Sequence, residues 1–303
     1  MASQVDSMAS QVDSMASQVD TSSFEAGRAC RWQPMAAGDF SVRSATYIET
    51  RTKEPSADAP YAPAAVDVLK TTAPVFGVAE RLGLDADDDL PVPRVLVMNF
   101  FVPADPPPVI GGLVTSARLG YALSAAEKPG AGGWQVVARW HLTDAAAAAY
   151  AEPETEWTPA MRKWRDWAAT CDADAVLSGA LKGVARVANE DALPLVVRGY
   201  NGVPVRMAKP AVLGPRQGAS RVARRRGTLE FGLHFGEDFS HTSNYALHEL
   251  LPRAPALAVD LAWIVEASTA PELPEGVAAC VRVADIDLEN APDLDAWLAA
   301  AGS

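Results

Sequence analysis

The run "PALAVDLAWIVEAST", Pro255 to Thr269, constrains the fold more than any other stretch, because it is apolar over most of its length and has to be buried. It is too short for a bilayer span, which takes about 20 apolar residues, and it is bounded by Pro252 before and by Glu266 and Pro271 near its end. The spacing predicts a helix. Pro255 suits a first helical turn, Leu257, Leu261, Ile264 and Val265 share one face, and Val259, Ala262 and Trp263 cover most of the rest. Asp260 is then shielded from water, and a shielded carboxylate needs a partner or takes up a proton. The helical neighbours Ala256, Leu257, Trp263 and Ile264 offer only an indole N–H, and Asp260 lies too far in to cap the helix. Arg253 is the nearest basic residue. Two readings follow: a structural ion pair locking this element to its neighbours, or an acid in a ligand cavity.

Strand patterns surround this run. "FSVRSATYI" alternates from Phe40, "AAVDVLKT" follows a proline-containing loop, and "RVLVMNFFVP" is apolar on both faces from Val95 to Val102, as a central strand would be. In "GWQVVARWHL", Trp134, Val136, Ala138 and Trp140 alternate with Gln135, Val137, Arg139 and His141, a strand covered on one face. The alanine-rich segment from Thr143 to Val187 predicts two or three helices, one opened by Thr158 and Pro159. Strand signals return at "LPLVVRGY", "VPVRMAKPAVLG", "GTLEFGLHFG" and "VAACVRVADIDL", with helices expected from His241 to Ser268, and "PDLDAWLAAAG" closes the chain as a helix. The expectation is an α+β domain over residues 25–303. In it a largely antiparallel, curved sheet of about seven strands packs on helices, with a buried helix near the C-terminus. Residues 1–20 repeat MASQVD(S), and heptads this few and this polar cannot hold a helix, so residues 1–24 read as a disordered tail.

Composition excludes several function classes. A net charge of −12 argues against a nucleic-acid footprint, which needs clustered Lys and Arg. Cys30, Cys171 and Cys280 are far apart and form no metal-ligand spacing, so a reducing, cytoplasmic setting fits best, and no secretory leader is expected. Nucleotide-binding glycine loops and the GxSxG elbow are absent, and "HELLP" lacks the second histidine of a zincin motif. No cofactor or metal is therefore expected. The densest basic cluster, "PRQGASRVARRRG", holds Arg224, Arg225 and Arg226, which suit either a solvated hairpin tip or the phosphates of an anionic membrane surface.

Several segments together resemble a known family. "DFSVRSATY", "VLVMNFFVPADPP", "GVPVRMAKPAVLG", "RRGTLEFGLHFG", "ALAVDLAWIVEAST" and "PELPEGVAACVRVADIDL" occur in the order found in the C-terminal domain of the plant enhanced disease resistance 2 proteins. That family also carries an aspartate inside the apolar run, so the resemblance implies that Asp260 is a standing feature of the fold. Where the family reads Glu-x-Asp-x-Asp-x-Gly, this chain keeps Glu230 and Gly236 but has Gly232 and His234. Pro252 and Pro255 interrupt what resembles one continuous helix in the family, which predicts a break there. The plant proteins carry this domain behind a pleckstrin module and a lipid-transfer module, and neither fits in this chain. The resemblance implies a stand-alone domain without established catalysis.

Three functions remain open at this point. The first is a non-enzymatic binding module for a lipid or other apolar small molecule, with candidate contacts Arg224, Arg225, Arg226, Phe231, Leu233, His234, Phe235, Asp260 and Trp263. The second is a protein-interaction module in signalling or stress response. The third is an enzyme of unassigned class, for which no nucleophile and base can be paired from spacing.

Overall fold

Val259–Val265 is a β-strand, which corrects the helix expected there. Pro252 and Pro255 lie in a 3-10 helix, Leu251–Ala256, that ends on an extended Leu257 with φ −95° and ψ 143°. The β-branched Val259, Ile264 and Val265 then continue as strand. Because this strand is covered on both faces, it lacks the polar alternation that separates a strand from a buried helix in sequence.

The computed structural model describes residues 24–87, 89–105, 132–171, 179–193, 195–207, 221–239 and 241–301; the repeat of residues 1–20 lies outside them. In chain order the strands are β1 (Glu25–Gly27), β2 (Cys30–Gln33), β3 (Ser41–Arg43), β4 (Lys53–Pro55), β5 (Tyr61–Thr71), β6 (Val95–Pro103) and β7 (Gly133–Leu142). They continue with β8 (Leu181–Val187), β9 (Val205–Arg206), β10 (Arg221–Arg225), β11 (Thr228–His234), β12 (Val259–Val265) and β13 (Val277–Ala284). The helices are α1 (Tyr47–Thr50), α2 (Val78–Arg81), α3 (Asp144–Ala151), α4 (Pro159–Thr170), α5 (Leu195–Arg198), α6 (Phe235–Asp238), α7 (His241–Leu250) and α8 (Leu294–Ala301). Three further expectations need correction: α5 replaces a strand at "LPLVVRGY", β8 ends the segment expected to be helical, and "FSVRSATYI" divides into β3 and α1.

Nine strands pair in the order β10-β11-β6-β7-β5-β13-β12-β8-β9, and β2 joins β1 to β13. The β6/β11 and β5/β13 ladders are parallel. The sheet is thus mixed rather than largely antiparallel, with more strands than expected. It is also strongly curled. Phe100 on β6 and Trp263 on β12 are four strand steps apart, roughly 19 Å in a flat sheet, yet their rings stack with centroids 5.2 Å apart.

Alternation along each strand then assigns every residue to the inside or the outside of the curl. Inside lie Val66, Val68, Met98, Phe100, Trp140, Phe231, Trp263 and Val281, all apolar and buried. α4 inserts Trp164 and Trp167 among them, its first turn set by Pro159 and by the Thr158 hydroxyl accepting from Met161 N. An aromatic chain follows, with Tyr61 on Trp164 at 5.6 Å, Trp164 on Trp167 at 5.0 Å and Trp167 on Phe231 at 5.6 Å. Outside, α2 and α8 cover Leu69, Val95, Val97 and Val137, while Ala37, Phe40 and Val42 cover Val184, Ala262 and Ile264. The buried ionisable strand residues Asp67, Lys182, Glu230, His234 and Asp260 all belong to this outer face by register. Charge and apolarity are thereby sorted to opposite sides of one sheet.

Candidate binding cavity

α4 fills one part of the curl. Over the other part α5, α6, α7 and the Leu251–Ala256 turn form a roof that leaves a cavity of about 390 Å³. This volume falls in the range of small-molecule sites, about 300–1,000 Å³. Its floor is the inner face of the sheet: Phe100, Val136, Gly183, Leu261, Trp263 and Val283. Phe235, Phe239, Ala246, Leu250 and Leu257 close it from above, and Phe235 stacks on Phe239 at 4.2 Å. Among the described residues, none that lines the cavity carries a charged side chain. Trp134, Val136, Val259 and Leu261 are only half-buried although they lie on sheet strands paired on both edges, because they face the cavity.

Local sequence choices make the hollow. Gly183 sits under the Trp263 ring, where a Cβ would lie 2.4 Å from Met207 Sδ and 2.8 Å from a ring carbon, so glycine lets the indole lie close on β8. The Trp263 Nε1 is buried and finds no acceptor among the described residues. α7 presents Ala246, Leu247 and Leu250 to the cavity at the spacing of one helix face. Serine and asparagine are the polar lining residues besides the aromatics, and Asn201 is already engaged, accepting from Val187 N and donating to Val187 O. The described lining therefore offers dispersion and apolar burial, with no acid, imidazole or thiol for proton transfer among the described residues.

Of the residues singled out in sequence, Phe235 and Trp263 line the cavity. Phe231 and Leu233 are fully buried in the core but do not line it. His234 faces outward, its ring 4.8 Å from Phe101 and its backbone N–H donating to Asp238 Oδ2, and burial pushes its imidazole down to about 4. The arginine cluster occupies the opposite end of β11 from Phe235, roughly 20 Å along the strand. There the basic and acidic runs of the sequence meet: Arg225 forms a bidentate pair with Asp85 and approaches Glu80, and the Ala86 N–H donates to Arg226 O. Gly227, at φ +60°, permits this contact, since a Cβ would come within 2.4 Å of Asp87 O. Arg224 reaches Cys171 Sγ at 3.5 Å. Arg216 lies outside the described residues.

Asp260 is on the outer face, away from the cavity, with no exposed surface. Its partners are Arg186 and Arg282, not Arg253, which donates to Glu249 O. A second outer network joins Lys182 and Arg43 to Glu275, and Arg43 and Arg206 to Glu266. Burial lowers the Lys182 ammonium against the pull of Glu275. Burial pushes the Glu266 carboxyl up, but Lys182, Arg206 and Arg43 outweigh it and hold it below its usual value.

The residues that sequence reasoning missed are Leu257 just before β12, Val259 and Leu261 on β12, the α7 face, and Leu193, Val197, Tyr200, Val203 and Val205. Only the α7 spacing could have flagged them. No helix among the described residues is long and apolar enough to cross a membrane. No curated protein and no solved structure matches the chain. The family model described as protein ENHANCED DISEASE RESISTANCE 2, C-terminal, matches residues 32–287, a span that takes in the nine-strand path of the sheet, its roof and all of the described cavity lining but Leu288, and the chain belongs to that family.

Proposed function

We propose that the protein is a non-enzymatic binding module for an uncharged apolar small molecule, with a lipid chain as the ligand class that suits it best. The observation that carries this reading is the cavity of about 390 Å³ with no charged lining residue among those described. Water in such a space would face apolar groups almost everywhere, and an apolar occupant would bury that surface instead. The buried Cys30, Cys171 and Cys280, which form no disulfide among the described residues, support a cytoplasmic setting. The arginine hairpin has no part in this reading, since it lies away from the cavity.

The test is organic extraction and native mass spectrometry of the purified protein beside Leu261→Trp, which grows into the cavity from its floor. A co-purified lipid at near-equimolar level in the parent, and its loss in Leu261→Trp, is the expected result. A parent that carries no apolar molecule and takes up none when offered fatty acids, acylglycerols or isoprenoids removes the proposal.

A further inference from the structure

The large apolar side chains that stand exposed among the described residues are Ile48, Tyr200, Val203 and Val205, and the last three all border the cavity. Surface apolar residues are ordinarily scattered singly, so their concentration at one opening calls for a cause. Tyr200 is 56% exposed, Val203 46% and Val205 39%. Their exposure does not come from a loose loop. Gly202 N–H donates to Ala185 O and Val203 N–H to Tyr200 O, Gly202 takes φ +71°, and the Asn201 amide clamps both backbone groups of Val187. The turn is tied to β8 and holds its apolar side chains outward.

Charge is arranged around this lip. From Arg198 to Arg206 the chain reads RGYNGVPVR, with an arginine at each end and no acidic residue, in a protein of net charge −12. The Arg198 guanidinium donates to the carbonyls of Leu193 and Asp191 and forms no ion pair among the described residues. Arg206 reaches Glu266, yet its side chain stays 58% exposed. The nearest carboxylates before the lip, Glu190 and Asp191, belong to the preceding 3-10 turn. A tyrosine and two valines flanked by arginines match a bilayer surface: aliphatic groups enter the acyl boundary, the phenol sits at headgroup level, and the guanidinium groups meet phosphate.

We propose that the Arg198–Arg206 segment is a docking lip that seats the cavity mouth on an anionic lipid bilayer, from which the apolar ligand enters. This rests on the binding reading above for the ligand, but the docking itself can be tested apart from it. A bilayer suits this opening better than a protein partner, because it supplies both the apolar ligand and the layered apolar and anionic chemistry that the lip mirrors.

Flotation with phosphatidylcholine vesicles, with and without phosphatidylserine, tests the docking. The parent is expected to float with the anionic vesicles, and Arg198→Gln to bind them about fivefold more weakly, as one interfacial arginine would imply. The triple variant Tyr200→Ser, Val203→Ser, Val205→Ser is expected to lose more than about tenfold. Leu261→Trp, which fills the cavity from the far side, should float like the parent while losing extractable lipid. A parent that does not float, or a triple variant that floats as the parent does, overturns the docking. So does a triple variant that floats less only because a parent dimer, seen by light scattering, has dissociated. If the lip variants lose flotation but no version of the protein holds lipid, the docking stands and the cavity reading fails.

Discussion

Asp260 and Arg282 face each other directly across β12 and β13, and Arg186 faces the same carboxylate from β8 on the other side. Arg186 donates to Asp260 Oδ2 through both Nε and a terminal nitrogen, at 3.1 and 2.8 Å, while Arg282 reaches both carboxylate oxygens. Arg186 also lies over the Phe40 ring at 5.2 Å, so the pair is sealed by the Ala37–Val42 segment. One carboxylate thus ties three adjacent strands on the outer face. Removing it leaves two guanidinium groups beside each other, and their partial exposure, 36% and 24%, softens the cost.

Asp260→Ala should therefore lose about 2–3 kcal/mol, below the 3–5 kcal/mol of a fully buried broken pair. Asp260→Asn keeps one acceptor and the shape, and should lose about half as much. Adding Arg282→Leu to Asp260→Ala should recover part of the loss by removing one stranded cation. Urea midpoints for the four proteins decide this, and a shift under about 0.5 kcal/mol for Asp260→Ala rejects the cross-strand account.

Glu230 carries a comparable role on the same face. It accepts from Gly77 N–H at 2.9 Å, Ala79 N–H at 2.8 Å and Asn99 Nδ2 at 2.7 Å, holding the start of α2 against β11. Gln135 completes the set by donating to Asn99 and accepting from Val75 N–H. Glu230→Gln keeps one acceptor but turns an amide donor toward the α2 backbone N–H groups. It should cost about 2 kcal/mol, and hydrogen exchange at Gly77 and Ala79 should speed up first. Unchanged exchange there would mean that α2 is held by its apolar contacts alone.

What the sequence disclosed divides along the same line between faces. β7 was legible because Trp134, Val136 and Trp140 alternate with Gln135 and Arg139, so the pleat shows in the polarity. β12 was not, because both faces are covered and only Asp260 breaks the apolar run; its β-branched residues were the unused signal. That Asp260 is buried followed from sequence, but its partners required the register of three strands. Trp263 and Phe235 stood out as cavity candidates through size. Leu261 and Ala246 are unremarkable one by one, because a cavity belongs to the meeting of separate segments and leaves no local pattern. α5 was misread because Val196 and Val197 favour strand, and packing on Leu257 overrides that preference.

Acid should weaken the protein through His234. Burial holds its imidazole at about 4 against an ordinary 6.5, so below 6.5 the unfolded chain binds a proton that the folded one refuses. Stability present above pH 6.5 is then lost progressively as the pH falls toward 4, by roughly 2–3 kcal/mol in all. His234→Asn has no proton to take up in this window. Its urea midpoint should fall less steeply than the parent's between about pH 7 and pH 4.5. Parallel curves for the two proteins would assign the acid sensitivity to other groups.

Leu261 gives the most direct reading of whether the cavity is space or packing. It lies at the centre of β12, paired on both sides, yet stays half-exposed because it looks into the hollow beside Trp263. In a filled core a larger residue there would force its neighbours off their rotamers and cost about 1–3 kcal/mol. Facing empty space, Leu261→Phe should instead gain contacts on Phe100 and Val136 and raise stability by roughly 1 kcal/mol. Stripping the parent of any bound lipid should widen that difference, because an occupant stabilises only the form that has room for it. Thermal unfolding of both proteins before and after delipidation measures the two effects together, and a destabilised Leu261→Phe in the delipidated state would show that the space closes when empty.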